Sequence, residues 1–246
     1  MSGHSRWATI RRKKGANDAK RSKIFTKIIK EITIATRLSG PNPEGNPRLR
    51  LAIQNAKGAN MPKDTVERAI NKGAGKDGTV YTEVAYEAYG PGGIALYVEC
   101  TTDNINRTVA NIRAIFNRHG GTLSTKGSLD FLFTRQGIFS FPKGNLNEED
   151  FTFTMIDAGA EDVEFDDEFV TVSCPINEFG RIHKKLDELG IEPEEAGLQR
   201  IPTLRKNLDA DTTRKALKLI DLIEDEDDVQ KVYHNLEVDE KMMAEM

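Results

Sequence analysis

Cysteine is scarce in this sequence. Cys100 and Cys174 are the two among 246 residues. That is too few for a disulfide framework, and no C-x-x-C pair offers zinc-type spacing. Two isolated cysteines suit a reducing compartment, where each packs as a small hydrophobe. Long apolar runs are missing as well. None approaches the ~18 residues that a membrane-spanning helix requires, and the first 30 residues lack the apolar core of a signal peptide. These absences lead us to expect a cytoplasmic protein without a membrane partner. Catalytic signatures are also missing: H-E-x-x-H, G-x-S-x-G and G-x-G-x-x-G do not occur. The glycine-rich stretch 73–78 is not a phosphate loop, because Ile70 stands where a Walker motif needs glycine. The four histidines are scattered along the chain. The acidic runs Asp166-Asp167-Glu168 and Glu224 to Asp228 lack the glycines and alternating ligands of a metal loop. The expectation is a protein that is not an enzyme, with no catalytic residues, no metal and no cofactor.

What the sequence does contain is charge, sorted by position. The overall balance is modest, 35 Lys plus Arg against 39 Asp plus Glu. Residues 1–76 hold 18 basic and 5 acidic residues, and residues 77–246 hold 17 and 34. A net +13 is thus joined to a net −17. This pattern points to a basic module for a polyanion, carried on an acidic body that nucleic acid should repel.

Residues 1–23 form a basic arm with eight Lys/Arg and one acid, Asp18. Its few apolar residues follow no period, so alone it cannot offset its ordering entropy. Trp7, the single tryptophan, can stack on a base or pin the arm to the body. From about Ser22 to Leu38 a helix is expected. A 100° wheel places Ile24, Phe25, Ile28, Ile29, Ile32 and Ala35 on one face, with Lys20, Lys23, Lys27, Lys30 and Arg37 opposite. Gly40-Pro41-Asn42-Pro43 ends it. A second helix starts at Asn46 and Pro47, with Leu49, Ala52, Ile53 and Ala56 inward and Arg48, Arg50 and Lys57 as its basic surface. A third runs from about Pro62 to Gly73. The spacing of the last two resembles a helix-turn-helix, a signal too common to make 62–72 a recognition helix.

After residue 78 the period changes. Strands are expected at 83–89 and 94–101, then a helix at 105–118 capped by Asp103-Asn104. Residues 129–202 read as strand 129–141, helix 148–158, strands near 162–165 and 169–174, helix 178–189 and a strand near 196–201. This β-α-β-β-α-β order is ferredoxin-like. Helix 211–226 and strand 229–236 then lack a partner unless they return to the first segment. The expected fold class is therefore α+β. It comprises a basic flexible arm (1–23), a helical bundle (24–76), an α+β domain split between 79–128 and 203–246, and a ferredoxin-like domain, 129–202, inserted into it. In the 105–118 helix, Asp103 reads as a cap and Arg107 as a possible phosphate ligand. The cluster 224–228 is a possible internal contact for the arm.

Several stretches carry a family resemblance. GHSRWATIRRKKGANDAKRSKIFTKIIKEI at 3–32, NPRLRLAIQNAKGANMPKDTVERAINKG at 46–73, YGPGG at 89–93, TTDNINRT at 101–108 and QKVYHN at 230–235 resemble the YebC-type proteins. The likeness spans nearly the whole chain and is weakest over about 145–200. It implies three domains around a cleft, no known enzymatic activity and a cytoplasmic regulatory role. Bacterial members are usually called probable transcriptional regulators that bind DNA. The mitochondrial relative is a translational activator of cytochrome c oxidase, and bacterial members have also been linked to stalled ribosomes. The family's opening motif begins at Gly3, which favours a bacterial cytoplasm over an organelle.

The function expected from the sequence is a nucleic-acid-binding regulator of gene expression, first a DNA-binding transcriptional regulator. The alternative is a ribosome-associated translation factor that binds ribosomal RNA and relieves stalled translation. The expected nucleic-acid contacts are Arg6, Trp7, Arg11, Arg12, Lys13, Lys14, Lys20, Arg21, Lys23, Lys27, Lys30, Arg48, Arg50 and Lys57.

Overall fold

In the computed structural model the described residues are 18–75 and 80–238, with 18–20 described in backbone only. The chain divides into two compact units. One contains residues 1–78 and 135–199, the other 79–134 and 200–246.

The first unit opens with three helices: α1 (Asp18–Ser39), α2 (Pro47–Gly58) and α3 (Lys63–Ala74). Helix α1 begins at Asp18, so part of the stretch read as arm is helical. It packs against both α2 and α3. A helix flanked on two sides buries more than one stripe, and from Ile32 to Thr36 every residue of α1 is buried. The wheel therefore misplaced two residues. Lys30, assigned to the basic face, is 9% exposed, whereas Ile24, assigned to the core, is 42% exposed. The core proper holds Ile32, Ala35, Leu49, Ala52, Ala56, Met61 and Ala69. Gly73 lets α3 approach α1 closely: a Cβ there would lie 2.6 Å from the Thr33 carbonyl oxygen.

Asn46 fixes the turn between α1 and α2. Its side-chain oxygen accepts from the Leu49 N–H at 3.0 Å, capping α2. Its Nδ2 donates to the carbonyls of Ala35 and Gly40 at 2.7 and 2.8 Å, satisfying the end of α1. Pro47 at the first position of α2 loses no hydrogen bond.

The rest of this unit is a sheet with two helices. Strand β4 (Phe133–Pro142) is followed by α5 (Glu148–Asp157), β5 (Asp162–Phe165), β6 (Phe169–Pro175), α6 (Phe179–Glu188) and β7 (Glu195–Pro202). The strand order is β5-β6-β4-β7. Strand β6 is antiparallel to both β4 and β5. This is the ferredoxin-like arrangement expected from the sequence. A 3₁₀ turn at Asp130–Leu132 occupies the start of the stretch read as strand 129–141. Alternation along β4 and β6 sends Phe139, Phe141, Val170, Val172 and Cys174 into one core with Phe151, Met155, Ile182 and Leu186. Burial pushes the Cys174 thiol up to about 11, the value of an inert packed cysteine.

The second unit contains β1 (Thr82–Tyr89), β2 (Ala95–Thr102), α4 (Ile105–Arg118), the two-residue strand β3 (Thr122–Leu123), α7 (Ala210–Glu224) and β8 (Val229–His234). Its sheet order is β3-β1-β2-β8. Strand β8 pairs antiparallel with β2, although about 130 residues separate them. Strand β2 is buried on both faces, which explains its nearly unbroken apolar run. The turn before it needs glycine: Gly92 and Gly93 both have positive φ, +68° and +70°.

His234 ends β8, and both ring nitrogens are shut away from solvent. Burial, with Arg205 nearby, lowers its pKa to about 4. The unfolded chain binds a proton below the ordinary value of 6.5, which the folded chain refuses until about 4. Stability is therefore complete above pH ~6.5 and falls as pH drops towards 4, by about 3 kcal/mol if this group acts alone. Urea titrations of wild type and His234→Gln across that range check this, since the step should be absent in the variant.

Candidate nucleic-acid interface

Of the predicted contacts, Arg6, Trp7, Arg11, Arg12, Lys13 and Lys14 lie outside the described residues, as does the Lys20 side chain. The others fall into two groups. Arg21, Lys23 and Lys27 lie along the first half of α1 with partial or full exposure. The Arg21 guanidinium stands 5.4 Å from the centre of the Phe25 ring, and its Nη2 donates to the Asn60 carbonyl at 3.4 Å. Asn60 itself has a positive φ of +55° in the turn between α2 and α3. This cationic end of α1 continues the charge of the segment before it.

The second group is committed within the protein. Arg48 forms a bidentate pair with Glu31, Nε to Oε1 at 2.7 Å and Nη2 to Oε2 at 3.0 Å. Lys57 pairs with Glu192. Arg50 holds the preceding turn, donating to the carbonyls of Pro43 and Glu44 at 3.3 and 3.0 Å, yet stays exposed. Lys30 is buried. Of these, Arg50 and Lys57 keep exposed side chains on the α2 surface that the wheel assigned to nucleic acid, Lys57 beside an equally exposed Glu192.

The reason is that α2 has two packed faces. One faces α1; the other meets the ferredoxin-like sheet of the same unit. Asn55 Nδ2 donates to the Ala196 carbonyl and its Oδ1 accepts from the Ala196 N–H, both at 3.0 Å. Gln54 Oε1 lies 2.9 Å from His183 Nε2, and that imidazole stacks with Phe179 and Phe139. Leu51 packs on the sheet's core. Gly58 runs so close to Glu194 that a side chain would strike its backbone. Sequence periodicity showed one face of α2. The Gln54-Asn55 pair and Gly58 were the available signals for the other.

Helix α3 presents Lys63, Asp64, Glu67, Arg68, Asn71 and Lys72 outward. This mixture of signs is unsuited to a phosphate-lined groove.

The TTDNINRT stretch caps α4, as its Asp103-Asn104 pair led us to expect, and also ties distant segments together. Asn104, rather than Asp103, caps α4 by accepting from the Arg107 N–H at 3.0 Å. Arg107 is not an open phosphate ligand. Its Nη2 contacts Asp228 at 2.8 Å and Asp103 at 2.7 Å. Asp228, 9% exposed, also accepts from Thr102 and Thr108 hydroxyls at 3.1 and 2.8 Å. The motif thus joins the end of β2, the start of α4 and the entry to β8. Its hydrogen bonds to Asp228 and Asp103 raise the Arg107 pKa further. Another carboxylate, Glu87, is buried in β1. It accepts from the Gly127 and Leu129 N–H groups, both at 2.6 Å, and fixes the loop before β4. Sequence reasoning missed this residue, since alternation within β1 does not mark a carboxylate as internal. Among the described residues no three His, Cys, Asp or Glu side chains converge as a metal site, and no helix is long and apolar enough to cross a membrane.

With this geometry in place, comparison with known proteins is informative. Residues 5–76 match the model of the TACO1/YebC protein N-terminal domain, and residues 81–236 match that of the TACO1/YebC second and third domain. A "Probable transcriptional regulatory protein" of Amoebophilus asiaticus is 53% identical over 96% of this chain and 98% of its own. One from Chlorobaculum tepidum is 48% identical over 99% and 98%. The crystal structure of a conserved hypothetical protein from Aquifex aeolicus aligns with a TM-score of 0.83 at 44% identity, covering 91% of this chain and 93% of that one.

The edge of β7 supplies a test. Asn55→Ala removes both partners of the Ala196 backbone, a loss of about 1–3 kcal/mol for part-buried groups left unsatisfied. Chemical denaturation should show that drop, and hydrogen exchange at the Ala196 amide should accelerate by tenfold or more. Arg50→Ala, which touches only the turn before α2, should leave the Ala196 exchange rate unchanged.

Proposed function

The chain belongs to the TACO1/YebC family, and from that premise we propose that it is a nucleic-acid-binding regulator of gene expression, foremost a DNA-binding transcriptional regulator. The observation that carries the reading is the segregation of charge. Residues 1–76 hold 18 basic side chains against 5 acidic ones, ahead of an acidic body. The relatives named probable transcriptional regulatory proteins support a regulatory role. In this reading the contacts are Arg6, Arg11, Arg12, Lys13, Lys14 and Lys20, continued by Arg21, Lys23 and Lys27 on α1. Arg48, in its bidentate pair with Glu31, serves instead to hold α2 in place.

Such a surface binds backbone phosphates and releases counterions, giving affinity that is steep in salt and weakly dependent on sequence. A major-groove helix is not the instrument. The polar face of α2 is taken up by the sheet, and that of α3 carries acids. Selectivity then comes from the shape of the nucleic acid or from partner proteins.

One observation favours a second reading, a translation factor on ribosomal RNA. With no open groove-reading helix among the described residues, a basic segment carrying one tryptophan suits RNA, which is recognised by shape and by stacking on unpaired bases.

Truncation of residues 1–17 removes five basic residues. For duplex DNA it should flatten the plot of log K against log salt by about four to five units, with the far-UV spectrum of the body retained. An unchanged slope would move the binding surface elsewhere. Trp7→Ala separates the two readings. Ribosome co-sedimentation at ~0.15 M salt that weakens about tenfold in this variant, as ~1.4 kcal/mol of stacking implies, supports the translation factor. A reproducible promoter footprint without any ribosome association supports the transcriptional regulator.

A further inference from the structure

The second unit belongs to the acidic part of the chain, yet one of its helices contains no acid. Helix α4 reads INRTVANIRAIFNR, with three arginines and neither Asp nor Glu. Its inner side is Thr108, Ile112 and Phe116. Its exposed side carries Asn106, Ala110, Arg113, Asn117 and Arg118. Arg107 is occupied by Asp103 and Asp228, whereas Arg113 and Arg118 make no ion pair or hydrogen bond among the described residues.

Helix α7 lies beside it. Asn111 donates to Glu226 just beyond the end of α7, and Gly121, just beyond the end of α4, approaches Leu219. The two helices therefore run antiparallel, and the C-terminal end of α4 lies towards the middle of α7. That stretch exposes Lys215 and Lys218, which also lack a described partner. Arg214 is neutralised by Asp211. Asp221 and Glu224 sit further along α7 and have interactions of their own.

We propose that Arg113, Asn117 and Arg118 of α4, together with Lys215 and Lys218 of α7, form a second phosphate-binding surface for duplex DNA. The proposal rests on the nucleic-acid reading above and extends it to the acidic part of the chain. The physical case is one of selective commitment. Where this unit needs a cation for its own fold, as at Arg107, an acid is placed against it. Here four cations remain in water with no carboxylate against them, beside short amides able to donate to phosphate oxygens. Neither helix carries an exposed aromatic: Phe116 is buried and α7 has none. The two helices therefore offer unpaired bases no aromatic platform and suit the regular backbone of a duplex. The two helices lie side by side and offer a broad face, which suits contact to phosphates and not to base edges.

The test uses the full chain with Arg113→Gln, Arg118→Gln, Lys215→Gln and Lys218→Gln combined. Binding is followed by fluorescence anisotropy on a 30-base-pair DNA duplex and on an RNA hairpin, across a salt series. The side chains are exposed and unpartnered, so the melting temperature should match wild type. We expect the affinity for DNA at low salt to fall at least tenfold and the salt slope to flatten by about three units. The variant Arg113→Lys with Arg118→Lys should bind as wild type, because backbone contacts need charge rather than guanidinium geometry. Unchanged DNA affinity and slope, with binding still lost on truncation of 1–17, would overturn this surface and leave the nucleic-acid reading intact. Weakening on the RNA hairpin alone would overturn the assignment to DNA. Failure of the wild type to bind either probe would overturn both.

Discussion

The pairing of Asn55 with Ala196 is the constraint around which the first unit is organised. Strand β7 is the last strand of its sheet, and such an edge leaves backbone donors and acceptors open to any strand that approaches. A single carboxamide, presented by a helix, answers both groups of one residue with two hydrogen bonds of 3.0 Å. To reach it, α2 must lie flat along that side of the sheet. This requires Gly58 where the chain passes Glu194, and it brings Gln54 to His183 and Lys57 to Glu192. One contact thereby decides which face of α2 meets the sheet and which side chains are left for a ligand.

The electrostatic organisation follows from the same distinction between committed and uncommitted charge. A cation paired with a carboxylate in fixed geometry is a structural element. Its field is cancelled at short range, and breaking the pair exposes the partner. Arg48 with Glu31 and Arg107 with Asp228 are of this kind, whereas Lys57 with Glu192 is an exposed pair that salt screens. Cations in water at low local acid density act on approaching polyanions over roughly a Debye length, about 8 Å in physiological salt. The division between the two sorts, more than the number of basic residues, sets what a phosphate backbone encounters.

Asp228 holds the second unit together in an analogous way. It lies just before β8 and accepts from Thr102, Arg107 and Thr108, residues over 100 positions earlier. The pairing of β8 with β2 is thus reinforced at its start by a charge-assisted cluster. On sequence grounds the polar stretch 101–108 reads as a helix cap with one arginine able to bind a phosphate. A half-buried clamp between distant segments demands the same residue types, because hydroxyls, an amide cap and a guanidinium are what a partly buried carboxylate needs.

Much of this protein was legible from its amino acids. Apolar periodicity located the helices and most strands, Asn46-Pro47 marked the start of α2, and the order of elements after residue 129 identified a ferredoxin-like sheet. The return of the last helix and strand to the first segment followed from counting partners. These features are local, or depend on pattern alone, and a wheel or a two-residue alternation captures them. The same wheel failed for α1, where packing on two sides buried Lys30 and left Ile24 exposed. It failed again for α2, because a helix with two partners has no single polar face. Which cations remain available was decided in large part by tertiary structure: pairs such as Arg214 with Asp211 lie within one helical turn, but Arg48 is held by Glu31 17 positions away and Arg107 by Asp228 121 positions away. The sequence by itself determined where positive charge is concentrated. Only the fold decided which of those charges face solvent, because an ion pair depends on distance in space and composition records none.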